Sequence, residues 1–426
     1  MKKYILNVFF AFFAILGASV AVSAQSPMDT QYNYDHCQGS LSPYPIEVQN
    51  VAAPDSLAPV YISHVGRHGS RYPASAANCA KLQKALMYAD SLGTITPLGK
   101  KLLSLTDKVI AASHNHWGAL DSLGQAEQRA IAYRMYATFP GVFKNGTVNA
   151  ISSYSPRSMM SMYSFVHQLN RLNNKITFNT STGRVNSPLM RPFDVDQDYL
   201  DFRNDEAWKP AYTEYFELRC PLTAINRVLG RDFPYGDTDN ARDLAITEYY
   251  VIAGLEAMQM PSQMQTYFTV DEANALWSCF NLRQYLQRTA TTVSSVPAEI
   301  AARLVLDIIN KADAAIDGSN QADADLRFGH AETVMPLVSL LRMPGCYYMT
   351  NYFDTVAQHW KDFHVVPMAA NVQFIFFKAK KSGRYYVRTD LNEQPVKLIP
   401  NDDRTYIPWS DARKYMMRCL PLIMQE

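Results

Sequence analysis

Val65-Gly66-Arg67-His68-Gly69-Ser70-Arg71-Tyr72-Pro73 decides how the rest of this 426-residue chain is read. The residues before it, Ala58-Pro59-Val60-Tyr61-Ile62-Ser63-His64, are apolar and β-branched, as a buried strand end would be. Tyr72-Pro73 then breaks the chain, and Gly69 lets the backbone turn sharply beside the histidine. A strand running into such a turn brings one imidazole and two guanidiniums to its carboxyl end, where open α/β sheets bind ligands. A guanidinium is planar, always charged and matches phosphate oxygens two at a time. A neutral imidazole attacks phosphorus once its other ring nitrogen is tied to a backbone carbonyl. Arg67, His68 and Arg71 are therefore candidates to hold a phosphoryl group and attack it.

Arg67-His68-Gly69-Ser70-Arg71-Tyr72-Pro73 resembles the signature of the histidine phosphatase superfamily, in its acid phosphatase and phytase branch. That branch needs a distant arginine on a Ser-rich strand-to-helix junction, and Ile151-Ser152-Ser153-Tyr154-Ser155-Pro156-Arg157 fits, followed by a helix with Met160, Tyr163 and Val166 as its apolar positions. It also needs a C-terminal histidine followed by a carboxylate, which Arg327-Phe328-Gly329-His330-Ala331-Glu332 supplies. Most of the branch has His-Asp there. The His330-Ala331-Glu332 triplet is similar to the multiple inositol polyphosphate phosphatases, a phytase subgroup. Leu189-Met190-Arg191-Pro192-Phe193-Asp194 is similar to the subgroup's Leu-Met-Arg-Phe-Phe-Asp, and Leu391-Asn392-Glu393 to its C-terminal hairpin. Pro192 departs from the subgroup's aromatic residue and puts the backbone around Arg191 in question.

The resemblance implies a phosphoglycerate-mutase-like α/β sandwich with an inserted, mainly helical cap. It implies His68 as nucleophile and Arg67, Arg71, Arg157 and His330 as groups that bind and stabilise the transferring phosphoryl. Glu332 becomes the proton donor and Arg191 a ligand for a substrate phosphate. The substrate class is a small polyanion, inositol phosphates with phytate foremost. No metal or cofactor is needed, because arginines supply the positive charge a metal would provide. Two other readings stay open: a broader acid or sugar-phosphate phosphatase, and a phosphate-ligand binder without turnover.

With 48% apolar residues the chain can bury a large core, and its length suits one large domain or two. A formal net charge of +1 gives no general attraction to nucleic acid, so the positive charge for a polyanion must be gathered locally. Met1-Lys2-Lys3, the apolar run Val8–Ala18 and Val22-Ser23-Ala24 read as a signal peptide over residues 1–24, too short in its apolar part for a spanning helix, which needs about 20 residues. Export, to a periplasm or beyond, is the expectation. Six cysteines in an exported chain point to at least one disulfide, with buried thiols as the alternative. His114-Asn115-His116 has metal-like spacing but no carboxylate cluster with it.

Strand-like runs at 60–65 and 150–154 alternate with helical ones at 80–92, 98–111 and 127–137. The alternation resumes with helices at 300–314 and 334–341, a strand at 372–378 and a hairpin formed by 385–389 and 396–399. Between these parts, 195–295 is aromatic- and Arg-rich with helical spacing, as in 245–258 and 273–286. This places a helical cap at 195–295 inserted into a domain of 25–194 and 296–426, with the site between the sheet edge and the cap.

Overall fold

The structure is a computed structural model that describes residues 33–424, apart from 35, 46, 47, 50 and 145. The 1–24 segment lies outside the described residues. The strand expected at 60–65 is β1 (Leu57–Arg67), buried from Tyr61 onward. Three helices follow, α1 (Ala77–Ser91), α2 (Pro97–Ser113) and α3 (Ser122–Thr138), and then β2 (Thr147–Ser152), α4 (Pro156–Leu172) and β3 (Thr177–Ser181). A helical stretch contains α5 (Gln197–Asn204), α6 (Lys209–Arg219), α7 (Thr223–Leu229), α8 (Thr238–Ala253) and α9 (Val270–Arg288). The chain returns through α10 (Ala302–Asp317), β4 (Ala324–Gly329), α11 (Ala331–Leu340), β5 (Asn371–Ala379), β6 (Tyr385–Leu391), β7 (Gln394–Val396), β8 (Ile407–Pro408) and α12 (Trp409–Cys419).

The sheet has the order β3-β2-β4-β1-β5-β6-β7, with β8 also paired to β6. β3, β2, β4 and β1 run parallel, while β5 and β6 pair antiparallel. Register brings the parallel strands to one level: Arg67 lies opposite Gly329, and Ser152 opposite Phe328. The residues that follow β2, β4 and β1 therefore emerge side by side at the carboxyl edge, where an α/β sheet offers a binding crevice.

One sheet face packs on α3 and α4 through Ile62, Val148, Ala150, Leu326 and Phe328. The other belongs to a larger core with Leu304, Val305, Ile308 and Ile309 on the apolar side of α10. That core continues into the helical stretch, where α1 and α2 pack against α8 and α7.

Three expectations change. In α4 the buried positions are Ser158, Ser161, Met162, Phe165, Val166 and Leu169, whereas Met160 and Tyr163 are exposed. Serines face inward because the helix runs close to the loop after β1 and to the end of β4: Ser161 Oγ accepts from the Gly69 amide at 3.1 Å, and Ser158 Oγ donates to the Gly329 carbonyl at 3.1 Å. The expected disulfide does not form. Cys79, Cys220, Cys279, Cys346 and Cys419 are thiols dispersed through the core and its margin, where they act as small apolar groups. Gly69, finally, has no positive φ. Its glycine is required by close approach, since a Cβ there would collide with the backbone of Gly124 in α3, and a Cβ on Gly124 would collide with the Ser70 carbonyl.

Gly124→Ala should therefore cost about 1–3 kcal/mol of stability, as overpacking against an unyielding backbone does. Urea unfolding reads this directly. Wild-type stability and turnover in that variant would show that the loop–helix contact is not the constraint described.

Candidate functional site

His68 is the first residue after β1 and is almost fully buried. Its Nδ1–H donates to the Gly69 carbonyl at 2.9 Å, which leaves the lone pair on Nε2. Burial first, then Arg157, Arg67 and Arg71, push the imidazole well below its ordinary value of 6.5, so the ring is neutral. The loop beneath it is anchored by Glu127 of α3, whose carboxylate accepts from the Ser70 amide at 2.7 Å, the Ser70 hydroxyl at 2.6 Å and the Tyr44 amide at 2.9 Å.

Arg67 is held by two backbone carbonyls, its Nη1 donating to Ser40 and Val366 at 2.6 Å each. Asp362 fixes the first of these by accepting from the Ser40 amide at 2.8 Å and from the Trp277 indole at 3.0 Å. Arg71 donates from Nη1 to the Tyr72 carbonyl at 2.8 Å. The buried Nε atoms of Arg67, Arg71 and Arg157 have no protein acceptor. Burial, followed by repulsion from Arg71, lowers both Arg67 and Arg157 to about 10, so both remain charged at neutral pH.

His330 caps the start of α11 and lies edge-on to His68, with ring centroids 5.5 Å apart. Its Nε2 lies 2.9 Å from Ser153 Oγ and 2.8 Å from Arg191 Nη1, and its Nδ1 lies 3.4 Å from Arg157 Nη2. Burial, then Arg157, hold its imidazole well below the ordinary value. Arg191, held by Asp194 at 2.6 Å, directs Nη1 toward it. Pro192 opens a 3₁₀ turn, and Arg191 ahead of it leaves helical geometry at φ −142° and ψ 50°.

Glu332 sits in the first turn of α11 and pairs with Arg288, the last residue of α9, at 3.3 Å. Burial acts to raise its carboxyl, but Arg288, then His330, its own backbone amide and Arg67 outweigh this and hold it at about 2. A cleft of about 430 Å³ opens over these groups. Arg67, His68, Arg71, Arg157 and Glu332 line it from the sheet side, and Tyr250, Arg283, Gln284 and Arg288 from the helices. The structure thus brings together Arg67, His68, Arg71, Arg157, Arg191, His330 and Glu332, with His330 and Arg191 in contact beside the cleft lining. Sequence reasoning missed Ser153, although it lies in the quoted Ser-rich string, and Glu127 and Arg288, which no local pattern marks. Among the described residues no cluster of His, Cys, Asp or Glu is arranged to hold a metal ion.

The profile described as "Histidine phosphatase superfamily (branch 2)" matches residues 62–392. The chain belongs to this superfamily. It is 24% identical over 409 residues to multiple inositol polyphosphate phosphatase 1 of Gallus gallus, covering 91% of this chain and 88% of that protein. The Homo sapiens protein of the same name is 24% identical over 377 residues, 80% of this chain and 76% of that one. The fold is similar to that of the Bifidobacterium longum multiple inositol polyphosphate phosphatase in complex with inositol hexasulfate, with TM-score 0.77 at 18% identity over 91% of this chain and 99% of that one. The phytase of D. castellii gives TM-score 0.71 at 18% identity, over 95% and 90%. As a member of a superfamily that hydrolyses phosphomonoesters, the chain is a phosphatase.

In this histidine phosphatase the Glu332 carboxyl is set chiefly by Arg288. Replacing Arg288 with Gln should raise the carboxyl from about 2 toward its ordinary 4.5. NMR titration of Glu332 checks it. The depressed value also means that Glu332 contributes stability above about pH 4.5 that fades as pH falls toward 2, and Arg288→Gln should flatten that part of the acid-unfolding curve. An unmoved titration would remove Arg288 as the cause.

Proposed function

We propose that this phosphatase hydrolyses inositol polyphosphates, phytate foremost, through a covalent phosphohistidine on His68. The observation that carries the reading is the convergence at the ends of β1, β2 and β4 of a neutral, tautomer-fixed imidazole with guanidiniums whose buried donors lack protein acceptors. A cleft lined by Arg67, Arg71, Arg157, Arg283 and Arg288 suits a substrate carrying several phosphates. The curated relatives named for inositol polyphosphates support the same substrate class.

In this reading Nε2 of His68 attacks phosphorus and the bond from phosphorus to the ester oxygen breaks. Arg67, Arg71, Arg157 and His330 stabilise the charge that develops on the phosphoryl oxygens. Glu332 gives its proton to the departing inositol oxygen. Water then attacks the phosphohistidine, Glu332 takes a proton back, and inorganic phosphate leaves with His68 restored. A carboxyl held at about 2 in the empty cleft must be protonated to act as an acid. A bound phosphate dianion beside the same guanidiniums cancels much of their field and raises it. Residues 195–295 serve as the cap over the sheet domain, and residues 1–24 direct export.

His68→Ala should abolish turnover while leaving phytate binding measurable, and acid-quenched wild type should carry phosphate on His68. Glu332→Gln should slow single-turnover phosphorylation by inositol phosphates on the order of a hundredfold. The loss should be much smaller with an aryl phosphate whose phenolate leaves unaided. Equal losses on both substrates would remove Glu332 as the acid, and absence of phosphate on His68 would end the covalent scheme.

A further inference from the structure

Arg191 is half-buried and has two of its three nitrogens engaged by neighbouring side chains. Its Nε donates to Asp194 Oδ2 at 2.6 Å, and Nη1 lies 2.8 Å from His330 Nε2. Its guanidinium lies over the Tyr154 ring at 4.7 Å and the Phe193 ring at 4.8 Å. Asp194 is itself fixed, accepting from the Tyr154 hydroxyl at 3.0 Å. Arg67, Arg71 and Arg157 line the cleft directly, while His330 and Arg191 lie together beside it.

A guanidinium has donors and no acceptor. Both ring nitrogens of His330 face a guanidinium, and a neutral imidazole accepts at only one; the 2.8 Å contact with Arg191 is the shorter of the two and places the lone pair on Nε2. The Ser153 hydroxyl, 2.9 Å from the same nitrogen, can be either donor or acceptor and could not decide the tautomer alone. A neutral imidazole holds one proton, which then sits on Nδ1. The nearest charged neighbour of Nδ1 is Arg157 Nη2 at 3.4 Å, also a donor. Two donors cannot satisfy each other. They can share an acceptor placed between them, and a phosphoryl oxygen is such an acceptor.

We propose that Arg191, clamped by Asp194, Tyr154 and Phe193, is a positioning residue that sets the tautomer of His330. The proposal rests on the phosphoryl-transfer reading of the site but not on inositol phosphates being the substrate. Without Arg191, the His330 proton can move to Nε2 and bond to Ser153. That turns a lone pair on Nδ1 toward the phosphoryl oxygens, replacing a hydrogen bond by repulsion.

The test compares wild type, Arg191→Met and Arg191→Lys on inositol hexakisphosphate and on phenyl phosphate, with ¹⁵N NMR of the His330 ring. Arg191→Met should lower kcat by about tenfold to a hundredfold on both substrates, up to the loss of one phosphoryl donor. KM should change little, and Arg191→Lys, which keeps a donor-only group, should recover much of the rate. The wild-type ring should carry its proton on Nδ1. Protonation of Nε2 in the wild type overturns the proposal, and so does a KM increase confined to inositol hexakisphosphate with phenyl phosphate turnover intact. If inositol hexakisphosphate is not turned over at all, the substrate reading fails, while phenyl phosphate and the ring spectrum still decide the role of Arg191. If Arg191→Met does not fold, the wild-type spectrum and the Lys variant decide it.

Discussion

The site is built on mutual repulsion among guanidiniums. Burial, and then the nearby Arg71, lower the hold of Arg67 and Arg157 on their protons. Among the described residues no carboxylate forms an ion pair with any of the three. The fold restrains them with dipoles instead, through the carbonyls of Ser40, Val366 and Tyr72. Carbonyl oxygens fix a guanidinium without cancelling its charge, so the positive field stays available to a ligand. The carboxylates that share the cleft are paired with other cations, Glu332 with Arg288 and Asp243 with Lys81. Asp194 serves Arg191, and Glu127 and Asp362 accept from backbone amides and uncharged side chains. Much of the surrounding structure follows from keeping neutralisation at arm's length.

That arrangement explains which parts were legible in the sequence. β1, α1 to α4, α10, α11 and β5 carry apolar or β-branched patterns long enough to read, and Arg67, His68, Arg157, His330 and Glu332 stand directly at the ends of such elements. The edge strand β3 was not legible, because Thr177–Ser181 is mostly polar and exposed and lacks an alternating pattern. β4 is buried throughout, so it shows no alternation, and it carries charged residues; Asp307 neutralises its Arg327 at 2.6 Å. The inward face of α4 was misread because close approach to a loop demands small residues there, and hydrophobic periodicity marks only apolar ones.

The supporting residues were hidden for a different reason. Glu127, Asp362 and Arg288 act across 57, 322 and 44 positions of sequence. Nothing in their neighbouring residues reports a partner so far away. The role of Arg191 was likewise open: an arginine beside a phosphate-binding motif suggests an anion ligand, and only the positions of His330, Asp194 and the two rings show where its donors go.

The helix α9 links architecture to chemistry in a way that matters for anyone altering this protein. It begins with a reciprocal Thr269–Glu272 cap, gives Trp277 to Asp362, donates from Asn281 to the Trp360 carbonyl, and ends at Arg288 beside Glu332. The same rod thus reaches the support of Arg67 and the partner of the acidic side chain. A substitution that tightens or shifts this helix to resist heating also moves the cation beside Glu332, so a screen for thermal tolerance samples, unasked, changes in the acidity of that carboxyl.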